Sequence, residues 1–211
     1  MAEPTINDLG ACQQCGECCR IPCELIPSDL PPLLRQFGMS LPEFFQERLI
    51  AMLIGSRACA DVVLMMVPVK RSTAGERFNK LLADNEYAHA AGTCVFLVEK
   101  KCAIHQFKPR GGRLLQCHKI TGSVTIRSPW DWYFAHWFYN QHLFEMILPG
   151  IAGVFGELRS VFQQMSRAAA WYGYGAEYYQ WQRERDGIIA HRLFPLFNGA
   201  GPRGGFFVMC D

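Results

Sequence analysis

Five of the chain's ten cysteines fall within the twelve residues from Cys12 to Cys23, and apolar packing gives no reason to crowd reactive thiols so tightly. The run reads Cys12-Gln13-Gln14-Cys15-Gly16-Glu17-Cys18-Cys19, followed by Cys23. A C-x2-C step lets two sulfurs from one turn reach a single ion, and metal–sulfur bonds of about 2.3 Å demand that convergence. Gly16 frees the backbone to turn directly after the second cysteine. Cys12, Cys15 and Cys18 also match the first three ligands of ferredoxin-type iron–sulfur loops. Cys23 departs from that motif, because four residues rather than three separate it from Cys18 and no proline follows. Side chains of the neighbours Cys18 and Cys19 diverge. They suit two metal centres, or one ligand beside one structural or redox thiol.

The compartment decides how such thiols are read. The first ten residues, MAEPTINDLG, lack the positive and apolar regions of a secretory signal. No apolar run reaches the roughly 18 residues needed to cross a bilayer. A cytosolic protein is expected, with no membrane partner. Cytosolic thiols are kept reduced, so clustered cysteines there are more often metal ligands or redox groups than disulfides. A second group, Cys94, Cys102 and Cys117, can complete the coordination from far along the chain. With Cys12, Cys15, Cys18, Cys19 and Cys23 it provides enough donors for two four-thiolate sites, or for one cluster with spares. Zinc and iron, the latter as an iron–sulfur centre, both remain open.

Six cations, Lys100, Lys101, Lys108, Arg110, Arg113 and Lys119, accompany the single acid Glu99 across residues 99–119. Four thiolates on Zn²⁺ leave a charge of about −2, which local cations would stabilise. An ordinary solvated loop explains the run equally well. His105 and His118 lie in the same stretch, as zinc ligands, as hydrogen-bond donors to thiolates, or simply as solvated side chains. Cys59 and Cys210 are isolated and read as free thiols. The net charge of +2 gives no general reason to expect a nucleic-acid partner, and a phosphate role for Arg110-Gly111-Gly112-Arg113 is the weaker reading.

The expected fold class is mainly α with irregular metal-binding loops and little β. A cysteine-cluster domain spans residues 1–124, and an aromatic-rich helical extension over 125–211 packs on it. Ser28 and Asp29 cap a helix from Leu30 to Phe37, which Gly38 closes. Ser40 and Glu43 form a capping box. Leu41, Phe44, Phe45, Leu49, Met52 and Leu53 then recur at helical spacing up to Gly55. Val62 to Val69 reads as a buried strand and Arg77 to Ala83 as a short helix. Cys94 to Cys117 reads as loop with one strand pair. Later helices start at Ser128-Pro129-Trp130-Asp131, carry Leu158 to Tyr172, and run from about Glu177 to Ile189. Gly199 to Gly205 reads as a turn. The set Trp130, Trp132, Tyr133, Phe134, Trp137, Phe138 and Tyr139 exceeds what one helix face buries. It reads as core plus a lid over the metal region, or as a protein-partner surface.

The segment Cys12-Gln13-Gln14-Cys15-Gly16-Glu17-Cys18-Cys19-Arg20 resembles the YkgJ-like cysteine-cluster family, described as a zinc- or iron-chelating domain. Pro27-Ser28-Asp29 and the helices after it are similar to the family's next stretch. Cys94-Val95-Phe96-Leu97 and Cys102-Ala103-Ile104-His105-Gln106-Phe107-Lys108-Pro109 resemble its later C-x-I-[YH]-x-x-[RK]-P pattern, and Cys117 would close the set. The resemblance covers roughly residues 11–119. The spacing from Pro109 to Cys117 is longer than the family pattern, and His118 stands where an arginine is common. The resemblance implies metal binding through the cysteines, in a structural or electron-transfer role. Related domains in FliB-type lysine N-methylases of flagellin keep a redox or methyl-transfer enzyme open. A metal-delivery or maturation factor docking through the aromatic face is the third reading.

Overall fold

A computed structural model describes residues 25–56, 61–68, 94–116, 125–126, 130–199 and 206–209. The expected helix over Arg77 to Ala83 lies outside them. Described residues are mostly helical, with little sheet.

Local chemistry sets the first elements. A 3-10 turn, Pro27–Asp29, leads into α1, Leu30–Phe37. Asp29 does not cap α1 with its side chain. Its carboxylate reaches back to the Ile26 N–H at 3.0 Å and so closes the preceding turn. Gly38 ends α1 with φ 62°, a left-handed conformation that costs glycine little. Ser40 and Glu43 then start α2, Leu41–Arg48, as a capping box: the Ser40 N–H donates to Glu43 at 2.8 Å, and the Glu43 N–H donates to Ser40 Oγ at 3.5 Å. The Ser40 donors hold the exposed Glu43 carboxyl below its ordinary value, the hydroxyl contributing most.

Helical spacing does not continue to Gly55. The helix stops at Arg48, Leu49 turns extended at φ −122°, and Ile50–Ser56 forms strand β1. Met52 and Leu53 therefore lie in a sheet rather than on a helix face. The reason is burial: residues 50–54 are all at most 3% exposed, and a strand covered on both faces shows no alternation to betray it. Strand β2, Asp61–Val67, pairs antiparallel with β1 from Ile50↔Val67 to Ser56↔Asp61. Strand β7, Phe206–Met209, pairs parallel on the other side, from Ala51↔Phe206 to Ile54↔Met209. The order β2-β1-β7 makes β1 central and leaves β2 at an edge.

Between β2 and the later helices lie the two-residue strands β3, Leu97–Val98, and β4, Lys101–Cys102, which are the expected strand pair. A 3-10 turn, His105–Phe107, follows, then the short helix α3, Arg110–Leu114, and the strands β5, Leu115–Gln116, and β6, Thr125–Ile126.

Helix α4, Trp130–Phe138, and a single turn, α5, His142–Glu145, precede the long α6, Ile151–Tyr172. Gly173, at φ 67°, reverses the chain into α7, Ala176–Ile188, which runs into a π-helical turn, Ile189–Leu193, and α8, Phe194–Gly199. Gly199 is thus helical, and the rest of the expected turn to Gly205 is not described. Helices α4 and α6 pack on β2. Trp132, Tyr133, Phe134 and Trp137 are buried there, so most of the α4 aromatic set is core, whereas Tyr139 is 79% exposed. Arg159 of α6 donates through Nε to Asp61 Oδ1 at 2.6 Å and through Nη2 to Oδ2. That carboxylate raises the Arg159 pKa above its ordinary value. The guanidinium also sits 5.0 Å from the Phe138 ring centre. Among the described residues no helix is long and apolar enough to cross a membrane.

Candidate metal centre

The expected donors divide between described and undescribed chain. Cys94 and Cys102 are described; Cys12, Cys15, Cys18, Cys19, Cys23 and Cys117 lie outside the described residues, as do His118, Lys119, Cys59 and Cys210. Cys94 is 3% exposed and belongs to the apolar core. Cys102, half-buried, packs against that core from β4, opposite Leu97. No disulfide joins them. Among the described residues, no three His, Cys, Asp or Glu side chains are grouped to hold a metal ion.

The backbone around these positions is more informative than the two thiols alone. An edge strand presents unpaired N–H and C=O groups that must be covered. Alternate residues of β2 turn theirs away from β1, and the strand's own Asp61 and three other pieces of chain meet them. The Val62 N–H donates to its neighbour's carboxylate, Asp61 Oδ1, at 2.7 Å. The Gln141 side chain takes both groups of Leu64: Oε1 accepts from its N–H and Nε2 donates to its carbonyl, each at 2.9 Å. The Leu25 N–H donates to the Met66 carbonyl at 3.2 Å, and the Val95 N–H donates to the Pro68 carbonyl at 3.1 Å.

Leu25 is two residues beyond Cys23, and Val95 adjoins Cys94. Carbonyls two residues apart along extended chain are about 7 Å apart. The exit from the amino-terminal cysteine run and the start of the second group are thus rooted side by side on one strand end. Trp137, fully buried, locks the first root, because its Nε1–H donates to the Leu25 carbonyl at 2.7 Å.

A further tie joins the same two regions. Asp29 Oδ1 accepts from the Arg110 N–H at 3.0 Å, while Oδ2 holds Ile26. Burial raises the Asp29 pKa above its ordinary value; the two N–H donors and the charges of Arg110 and Arg113 act against that rise. Arg110 and Arg113 therefore have a carboxylate to answer. Arg113 also donates from Nε to the Lys108 carbonyl at 2.9 Å, which braces the loop before α3. Lys100 and Lys101 are exposed, whereas Lys108 is 6% exposed.

The sequence reading missed Asp29, Gln141 and Trp137 as organisers of this region. Asp29 carried a signal, since Pro-Ser-Asp favours local turn chemistry, but its second partner is 81 positions away. Gln141 carried none.

One imidazole stands out at the second cysteine group. His105 Nε2 is buried and has no hydrogen-bond partner among the described residues. It lies three residues beyond Cys102 in sequence, and among the described residues it belongs to no group of three metal-competent side chains. Comparison with protein-family models, curated proteins and solved structures gives no match.

Proposed function

We propose that this protein holds zinc or an iron–sulfur centre through thiolates of Cys12, Cys15, Cys18, Cys19, Cys94, Cys102 and Cys117, with Cys23 as a further donor. The centre's role is structural or electron-carrying. The cysteine spacing motivates the reading, and one structural observation carries it. Leu25 and Val95 hydrogen-bond consecutive outward carbonyls of the β2 end. Sulfurs distant in sequence could reach one ion from roots so arranged without a long ordered bridge. The Asp29–Arg110 hydrogen bond supports it independently from the far side of the second group.

Chain purified without oxygen, then assayed for metal and for its absorption spectrum, tests this reading. Stoichiometric zinc in a colourless protein favours a structural centre, and a visible charge-transfer band with iron favours an iron–sulfur centre. Cys15→Ser is expected to lose most of the metal and to unfold more easily, because binding energy at such sites is also folding energy. Full metal content and unchanged stability in that variant would refute the ligand assignment.

A further inference from the structure

Past Ala168 the hairpin of α6 and α7 buries nothing until Ile189. Ala168 is the last buried residue of α6, α7 has none, and no residue from 169 to 188 is buried. Large aromatic side chains are nevertheless concentrated there. Trp171 is 81% exposed, Tyr172 73%, Tyr174 58% and Tyr179 50%. Four of the eight large hydrophobics exposed among the described residues thus fall within nine positions. The reversal at Gly173 gathers them at one end of the hairpin. Tyr174 lies edge-on to Tyr178 with ring centres 4.9 Å apart, and Tyr178 to Tyr179 at 5.6 Å.

Monomers seldom keep a contiguous apolar patch above a few hundred Å² in water. At roughly 200 Å² for a whole aromatic side chain, the four exposed residues offer about 500 Å². Two such patches set face to face bury about 1,000 Å², the lower bound of a specific interface, before any flanking residue contributes. Trp and Tyr also dominate interface energetics, and with two χ angles they lose little freedom on docking.

Charge selects the occupant. From 167 to 186 the hairpin carries Arg167, Arg183 and Arg185 against Glu177, Glu184 and Asp186, a balance of zero. The nine aromatic-rich positions hold no cation, and Glu177 is their one charge. Anionic lipid or nucleic acid would call for an excess of Lys and Arg here. A two-fold interface sets the same patch against itself, so a net charge would repel its own copy and a balanced one does not. Arg167, one turn before Trp171, and Arg183, one turn after Tyr179, are exposed and have no ion pair among the described residues, nor has Glu177. A second copy brings to Glu177 the opposite charge that it lacks within its own chain.

We propose that the α6–α7 reversal is a self-association face, on which a second copy of this chain covers Trp171, Tyr172, Tyr174 and Tyr179 with its own. Association there requires no metal.

Sedimentation velocity of the full chain under reductant tests this. Wild type is expected to reach a dimer, twice the 24.0 kDa chain, with half-dissociation at about micromolar concentration, the weak end for interfaces. Trp171→Ser combined with Tyr172→Ser should raise the dissociation constant at least about thirtyfold. Its urea midpoint, at concentrations where both proteins are monomers, should match wild type, because neither side chain is buried. Tyr139→Ser removes an equally exposed ring elsewhere and should leave association unchanged. Wild type that stays monomeric to about 200 µM overturns the proposal, and co-sedimentation of that monomer with neutral phosphatidylcholine vesicles would assign the rings to a lipid surface instead. A dimer that the double variant weakens less than about threefold, or that Tyr139→Ser weakens equally, overturns it as well.

Discussion

Replacing Gln141 by alanine tests whether one side chain completes the β2 edge. Leu64 is 1% exposed, and the carboxamide meets both its N–H and its carbonyl at 2.9 Å. Truncation leaves one buried donor and one buried acceptor, each costing roughly 1–3 kcal/mol when unsatisfied. Carbonyls tolerate this better than N–H groups, and Gln141 is itself partly exposed, so water can recover some of the loss. The expected cost is about 3 kcal/mol, or a drop of roughly 6–12 °C in melting temperature for a chain of this size. Urea unfolding measures it as a lower midpoint at unchanged slope. Gln141→Glu sharpens the test. It keeps the acceptor for the Leu64 N–H but turns a carboxylate toward the carbonyls of Leu64 and Trp137, which Nε2 contacts at 2.9 and 2.8 Å. Both carbonyls and burial raise that carboxyl's pKa. Its protonated form restores a donor, so stability is present below the ordinary carboxyl value and is lost as pH rises through the raised one. A Gln141→Ala cost under about 0.5 kcal/mol, within the range of an ordinary surface change, would show that this side chain does not complete the edge.

Two carboxylates should respond to pH in opposite senses. Asp29→Ala removes the acceptor of the Ile26 and Arg110 N–H groups and is expected to cost about 2–3 kcal/mol near neutrality. Because the folded Asp29 pKa is raised, its contribution is fully present below 3.8 and diminishes as pH rises through the folded value. The gap between wild type and Asp29→Ala should therefore widen on acidification, which denaturant midpoints across an acid series will show. Ser40→Ala removes the hydroxyl that contributes most to depressing Glu43 and leaves the backbone N–H, so its destabilisation is present above 4.5 and lost as pH falls through the lower folded value. The same acid series should show that gap closing.

Elements whose determinants are local were legible from sequence. Gly38 and the Ser40–Glu43 box mark helix ends through contacts within a few residues, and both are found where their chemistry puts them. The long α6 was legible because Leu158, Val161, Phe162 and Met165 mark one buried face at helical spacing. The run from Leu49 to Ile54 was not, since a strand covered on both faces and a buried helix present the same continuous apolar pattern. The parallel pairing of Phe206–Met209 with β1 was also out of reach. Parallel neighbours need a crossover, and nothing near either strand names its partner. On the candidate centre, spacing names expected donors by chemical type. It was silent on Leu25, Val95, Asp29 and Trp137, whose contribution is a backbone, carboxylate or indole hydrogen bond to a distant residue.

The edge of β2 connects fold and site in one physical requirement. Its outward groups must be covered whether or not the protein binds anything, and the coverings come from Asp61, Gln141, Leu25 and Val95. Two of these four are the roots of the cysteine groups. Bringing remote segments together costs loop-closure entropy, and here sheet hydrogen bonds and the buried Trp137 contribute toward that cost before any ion arrives. An ion held by the proposed thiolates would then find Leu25 and Val95 already placed. Preorganisation of that kind leaves more of the metal–ligand energy available as affinity.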